Sequence, residues 1–314
     1  MLSLTDVTKT FGERRALDGV TFDVAPGRLT GFVGGNGAGK TTAMRILLGV
    51  LAPTSGTATI DGRPITGDDR RGFGYMPEER GLYPKMAIGE QLAYLARLHG
   101  IDRTSATKRA MALLERFDLA ARAKDNLDSL SLGNQQRVQV AAALVHTPEV
   151  LVLDEPFSGL DPLAVDEVVS VVAEHAARGI PVLFSSHQLD VVERLCDDLV
   201  IIAGGRIRAR GTRDGLRAEH AGNRWAMAAR GDAGWVRGVP GVVVDELAGD
   251  HVTFAADDAA AQLVLTEAVG RGGVTSFTPV RPTLGEIFRD VIRDEADDTT
   301  TDPTTEATTK EAVA

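Results

Sequence analysis

Up to about residue 215 the chain alternates short, nearly continuous apolar runs with longer stretches of helical spacing. LTGFVG (29–34) is such a run and predicts a buried strand ending in a glycine loop. TTAMRILLG (41–49) predicts the helix that follows, with Gly49 as its stop. VLVLD (150–154) and PVLFSS (181–186) repeat the apolar run, separated by a helical segment at 163–178. Apolar runs without alternation suit strands covered on both faces, as in a parallel sheet. Residues 88–129 are mostly helical in pattern, with Leu92, Leu95, Leu113 and Leu114 at helical spacing. AGGRIRARGTRDG (203–215) is glycine-rich and charged and predicts a junction.

From about 222 to 292 the texture changes. VVVDEL and HVTFAA are short strand-like runs either side of Ala-Gly-Asp. AAAQLVLTEAVGRGG predicts a helix with a glycine stop. TSFTPV then leads through Pro282 into TLGEIFRDVIRD, a last amphipathic helix. The pattern predicts a small α/β domain over 222–292. Residues 293–314 are rich in Thr, Asp, Glu and Ala, carry hardly any large apolar side chain, and predict a disordered acidic tail.

Composition narrows the function. The chain has 34 Lys+Arg against 44 Asp+Glu, a formal net charge of −10. Part of that excess is local, because 294–314 hold seven acids against the single base Lys310. An acidic balance argues against a general nucleic-acid binder, which needs a basic face. No apolar run reaches the roughly 18 residues that a bilayer span needs. MLSLTDVTKTF lacks the basic start and apolar core of a secretory signal. The one cysteine, Cys196, excludes an intrachain disulfide and reads as a buried, inert thiol. Together these features predict a cytoplasmic protein.

The chemistry begins at GGNGAGKT, Gly34 to Thr41, which fits G-x-x-x-x-G-K-[ST]. Glycines let the backbone curl so that successive N–H groups face a phosphate. Lys40 supplies a point charge for the β- and γ-phosphates, and the Thr41 hydroxyl a ligand for Mg²⁺. The helix that follows turns its positive end to the anion. Asp154 ends the strand VLVLD, where a carboxylate holds Mg²⁺ directly or through water. Glu155 beside it is placed to polarise an attacking water. His187 follows PVLFSS at the carboxyl end of a parallel-type strand, where ligands bind in such sheets, and can hold that water against the γ-phosphate.

With these residues in place, LSLGNQQRVQVAAALVHTPEVLVLDEPFSGLDP resembles the signature, Walker B and D-loop block of ATP-binding-cassette (ABC) ATPases. The usual signature is Leu-Ser-Gly-Gly-Gln. Here Leu130, Ser131 and Gly133 are kept, Leu132 replaces the first glycine, and Asn134 precedes Gln135. The resemblance covers about residues 2–215. It implies a P-loop α/β cassette over 1–215, with a mostly parallel core sheet, an antiparallel β subdomain and a helical subdomain at about 88–145. It also implies an ATPase that dimerises around ATP and Mg²⁺. Phe11 falls where the family stacks an aromatic on adenine. Gly34, Gly35, Asn36, Gly37, Ala38, Gly39, Lys40, Thr41 and Thr42 would hold the phosphates. Ser131, Gly133 and Asn134, with Asp161 of the Ser158–Asp161 loop, would meet ATP held by the other subunit. In GYMPEERGLYP, Glu78 stands where most of the family has Gln and becomes a candidate metal ligand with Thr41 and Asp154.

RPTLGEIFRDVIRD, MPEERGLYPKM and LSLGNQQ also resemble a bacterial exporter subfamily that includes sodium-export and drug-resistance ATPases. That likeness implies an efflux ATPase lying peripherally on the inner face of the cell membrane. Its partners would be a second cassette, identical or paralogous, and a separate permease docked on MAIGEQLAYLARLHG. The alternative is a soluble, non-transport ABC ATPase acting on chromosomes or ribosomes. Against it, the span from Thr42 to Leu130 is short and has no sustained heptad run, and only one GKT loop is present. A third reading makes 222–292 a regulatory sensor, but nothing in its residues names a ligand.

Overall fold

The computed structural model describes residues 1–79 and 81–298. The chain packs as two units, the first Met1–Arg213 and the second beginning at Asp214.

The first unit opens with an antiparallel hairpin, β1 (Leu2–Phe11) and β2 (Arg14–Val24). β3 (Leu29–Val33) leads through a glycine loop into α1 (Lys40–Leu47). Next come β4 (Ser55–Ile60), β5 (Arg63–Pro64), α2 (Gly67–Arg71) and β6 (Phe73–Met76). A helical stretch carries α3 (Ile88–Leu98), α4 (Arg103–Arg116) and α5 (Leu132–Leu144). The chain continues through β7 (Val150–Leu153), α6 (Pro162–Ala176), β8 (Val182–Ser186), α7 (Leu189–Leu195), β9 (Asp198–Ala203) and β10 (Arg206–Thr212).

Two sheets result. The smaller is antiparallel, in the order β2-β1-β4-β5. The larger has the order β10-β9-β3-β8-β7-β6 and is parallel from β9 to β6, with β10 antiparallel on its edge. β3, β7 and β8 are buried at every residue, which is why their sequences run apolar without alternation. Phe22 of the small sheet and Phe32 of the large one lie 5.0 Å apart, ring to ring, in a shared core with Leu2, Leu4, Met44 and Leu47. The carboxyl ends of β3, β7 and β8 converge at the place where parallel sheets bind ligands.

The second unit follows α8 (Arg213–Glu219), which starts at the boundary. It has β11 (Arg224–Ala229), β12 (Val242–Ala248), β13 (His251–Ala256), α9 (Asp258–Gly270), β14 (Val274–Pro279) and α10 (Leu284–Asp298). Its sheet is antiparallel, in the order β12-β13-β11-β14. Phe254, Val252, Val264 and Ala261 pack beneath it, with Phe254 and Phe277 6.2 Å apart.

Two expectations are refined. The stretch 203–215 does hold the boundary between the units, after Arg213, but most of it is an unforeseen strand: Gly204 and Gly205 turn the chain at φ 55° and 76°, and β10 then pairs along β9. Its charged side chains hid the strand because an edge strand has one face in water. At the other end, α10 runs to Asp298, six residues into the segment expected to be disordered from 293. Arg, Glu and Ala favour helix, and Gly and Pro are both absent between 286 and 302, so the helix started by Leu284 carries on. The rest of that expected tail, 299–314, lies outside the described residues.

Candidate functional site

The loop between β3 and α1 is shaped by backbone geometry. Gly39 sits at φ 112°, and a Cβ there would come within 2.7 Å of Leu17 and 2.9 Å of the Ala16 carbonyl. A Cβ at Gly34 would approach the Ile202 carbonyl to 2.5 Å. Both positions therefore exclude larger residues. Gly39 caps α1 with no side chain, leaving the first amides of that helix to an anion.

This loop forms one side of a cavity of about 500 Å³ whose wall includes Gly35, Asn36, Gly37, Ala38, Gly39, Lys40, Thr41, Thr42, Glu78, Asp154 and Glu155. Phe11, Arg14 and Ala16 complete it from the first hairpin. Phe11 is half exposed, and the Lys9 ammonium stands 5.1 Å from its ring centre. A half-exposed aromatic ring lining the same cavity as the phosphate-type loop suits a purine.

Lys40 is buried, and its ammonium donates to the carbonyls of Gly34 (2.6 Å) and Gly35 (3.4 Å). It lies 4.0 Å from Oε1 of Glu155. The other oxygen of Glu155, Oε2, is 2.9 Å from Nδ1 of His187. A carboxylate only accepts, so Nδ1 carries the hydrogen in this pair. Glu155 adopts φ 52°, the left-handed region, which a side-chain-bearing residue enters only when its surroundings over-determine it. Those surroundings include Ser185. Its Oγ accepts from the Glu155 N–H at 2.8 Å and donates to Oδ1 of Asp154 at 2.5 Å.

The second oxygen of Asp154, Oδ2, is buried with no hydrogen-bond partner among the described residues. An orphaned carboxylate oxygen beside Thr41 and Glu78, in a cavity that also holds Glu155, fits a divalent cation. Burial, reinforced by Asp154 and Glu78 and opposed by Arg45, pushes the Tyr75 hydroxyl above its ordinary pKa.

Ser131, Gly133, Asn134 and Asp161 do not line this cavity. Ser131 caps α5, its hydroxyl accepting from the Asn134 N–H at 3.4 Å. Asp161 caps α6, accepting from the Ala164 N–H at 2.9 Å. A Cβ at Gly133 would lie 3.4 Å from Leu160, so the signature and the 158–161 loop form one continuous surface. Sequence reasoning missed Arg14, Ala16, Ser185 and Gln136. Arg14 was within reach of it, lying on the same hairpin as Phe11. Ser185 carries no motif signal, and Gln136 ends LSLGNQQ without a role assigned to it there, because their roles come from β8 and α5 lying beside β7.

Known proteins resemble this chain in sequence and in fold. A family model described as ABC transporter matches residues 17–158. Another, described as the C-terminal domain of ATP-binding protein DrrA1-3-like, matches residues 211–292. The ABC transporter ATP-binding protein YhaQ of Bacillus subtilis (strain 168) is 37% identical over 289 residues, which are 92% of this chain and 97% of that protein. The Nod factor export ATP-binding protein I of Paraburkholderia xenovorans (strain LB400) is 37% identical over 219 residues, 69% of this chain and 72% of that one. A solved structure of an ATP-binding subunit of an ABC transporter superposes with a TM-score of 0.65 at 34% identity, covering 70% of this chain and 92% of the other.

Proposed function

This chain belongs to the ABC transporter family of ATP-binding proteins and is an ATPase subunit, and from that premise we propose that it powers export through a separate membrane-spanning partner, as one half of a cassette dimer. The observation that carries the hydrolytic part is Glu155, held in left-handed backbone between Lys40 and His187 at the edge of the phosphate loop. The export assignment is supported by the second unit, which matches the DrrA1-3-like domain, and by a relative whose name includes export.

In this reading adenine stacks on Phe11, the amides of Gly37 to Thr41 surround the phosphates, and Lys40 exchanges the loop carbonyls for phosphate oxygens. Thr41 and Asp154, with Glu78, would hold Mg²⁺. Bound there, a divalent metal would supply positive charge to offset the negative charge of the phosphates. Glu155 orients the water whose oxygen attacks the γ-phosphorus and receives its proton. The bond to the bridging oxygen breaks, and ADP leaves with the electron pair. His187 fixes the direction of the Glu155 carboxylate. Ser131 and Gly133 would reach the γ-phosphate on the other cassette, so that ATP joins the dimer and hydrolysis loosens it.

No helix among the described residues is long and apolar enough to cross a membrane. In this proposal a partner supplies the spans, and this chain would sit on the cytoplasmic face through it. A docking surface on the helical stretch is supported by exposed Tyr83, Tyr94 and Leu98. Beside them a cavity of about 260 Å³ is walled by Leu82, Leu95, His99 and His146. Gln139 borders it, buried, with both amide atoms lacking a partner among the described residues. The test is ATP turnover by the purified chain, together with co-purification from detergent-solubilised membranes. Turnover with a multi-span membrane protein bound supports the proposal. Turnover with the chain recovered only free of membranes favours the soluble alternative.

A further inference from the structure

α5 turns three glutamines inward: Gln135, Gln136 and Gln139 are all buried. A helix seldom buries so many amides, and each has its own destination. The Gln135 amide donates to the Leu130 carbonyl at 2.9 Å and fixes the approach to the signature. Gln139 faces the cavity beside α3. Gln136 crosses to the nucleotide side, where its Nε2 donates to the backbone carbonyl of Glu155 at 3.0 Å. That carbonyl also accepts from the Ser158 N–H at 3.2 Å.

The carbonyl belongs to the residue in left-handed backbone. Ser185 holds the N–H side of Glu155, and Gln136 with Ser158 holds the carbonyl side. The direction of the carboxylate toward His187 and Lys40 follows from where these groups fix the peptide planes. Gln136 is also five residues along the same helix from the cap Ser131, about 7.5 Å at the α-helical rise. A helix transmits a shift of its first turn along its length with little loss. A displacement at Ser131–Gly133 therefore arrives at the Glu155 carbonyl through one side chain.

We propose that Gln136 is a positioning residue that ties the signature of each chain to the Glu155 of the same chain. The proposal rests on the reading in which Ser131 and Gly133 engage ATP bound to the second cassette. Engagement there sets the helix, the helix sets Gln136, and Gln136 sets the carboxylate that orients water in this chain's own site. The two sites of the dimer are then coupled by a buried amide–carbonyl hydrogen bond, in addition to sharing ATP.

The test uses Gln136→Met, which keeps the volume and removes the donor, and Gln136→Glu, which keeps the shape. Steady-state ATP turnover should show kcat reduced about tenfold to hundredfold in Gln136→Met, with KM for ATP nearly unchanged. The Hill coefficient should fall toward one if the dimer is cooperative, and the melting temperature should stay near wild type. In Gln136→Glu a carboxyl facing a carbonyl has a raised pKa and donates only when protonated. Its turnover relative to wild type should therefore rise as pH is lowered from about 8 to about 6. Wild-type kcat in Gln136→Met overturns the proposal. So does a loss that merely follows the melting temperature, or a flat activity ratio for Gln136→Glu. Ser131→Arg is the control that separates the two claims. If it hydrolyses ATP normally, the underlying reading has failed. If it is dead while Gln136→Met is normal, this proposal alone has failed.

Discussion

Glu155 and His187 are joined by a 2.9 Å contact between Oε2 and Nδ1, while the other oxygen of the same carboxylate faces Lys40 at 4.0 Å. One side chain thus spans the distance between the end of β8 and the phosphate loop. Glu155→Gln keeps the shape of that bridge and removes the group that takes a proton from water. Turnover should fall about 10²- to 10⁴-fold while ATP still binds. Size-exclusion chromatography with ATP should show an enlarged dimer fraction. Hydrolysis at the wild-type rate would remove Glu155 from the water-activating role.

Lys40→Ala should cost more than turnover. The ammonium is buried and ties together the carbonyls of Gly34 and Gly35, so the substitution removes both of those bonds, leaves Gly35 only the Ala38 N–H, and deprives the phosphates of their cation. Both hydrolysis and nucleotide affinity should drop by about a hundredfold or more. Fluorescent-nucleotide titration beside a phosphate-release assay separates the two effects. Intact affinity would show that the loop amides alone hold ATP.

Mixed dimers test whether the signature acts across the interface. Lys40→Ala and Ser131→Arg should each be inactive alone. In a mixed dimer one composite site carries both lesions and the other carries neither. With free exchange and independent sites, activity should recover to about a quarter of wild type. Coupling through Gln136 would lower that fraction. No recovery in demonstrated mixed dimers would argue against action in trans. Normal turnover by Ser131→Arg alone would take the signature out of the site.

His146 stacks on His99 at 3.7 Å, and burial first, then the charge of His99, lowers its pKa to about 4. The folded value lies below the ordinary 6.5, so between the two the unfolded chain binds more protons. Stability from the neutral ring is complete above about 6.5 and is lost as pH falls toward 4. Partial exposure discounts the loss to about 1–2 kcal/mol. His146→Phe should flatten this part of the profile. Melting temperatures of both proteins at neutral pH and near pH 5 provide the check, and equal acid sensitivity would refute it.

The nucleotide site was legible because its parts are local. Gly34–Thr42 needs consecutive glycines, and Asp154 and Glu155 end an apolar run that only a buried strand explains. The first hairpin was harder to read. β1 breaks its register several times and places Asp6 at φ 52°, so no clean alternation survives over its length. β11 is short and rich in alanine, with little to set it apart from helix. Ser185 and Gln136 were illegible for another reason. Each acts on a residue about twenty or thirty positions away, through a contact that the parallel sheet creates. Spacing along the chain reports such neighbours only after the sheet order is known.

Cys196 bears on how all of this can be measured. Its thiol is buried against Gly31, where a Cβ would come within 2.5 Å of Sγ, and burial pushes its pKa up. The thiolate that alkylating reagents require is therefore scarce, and access to it is closed. The wild-type chain should stay unlabelled by a maleimide under native conditions. Any cysteine engineered at the surface then becomes a unique chemical address without first deleting a native one. Leu132, within the signature and 59% exposed, is a ready site for a fluorophore that reports cassette closure in real time.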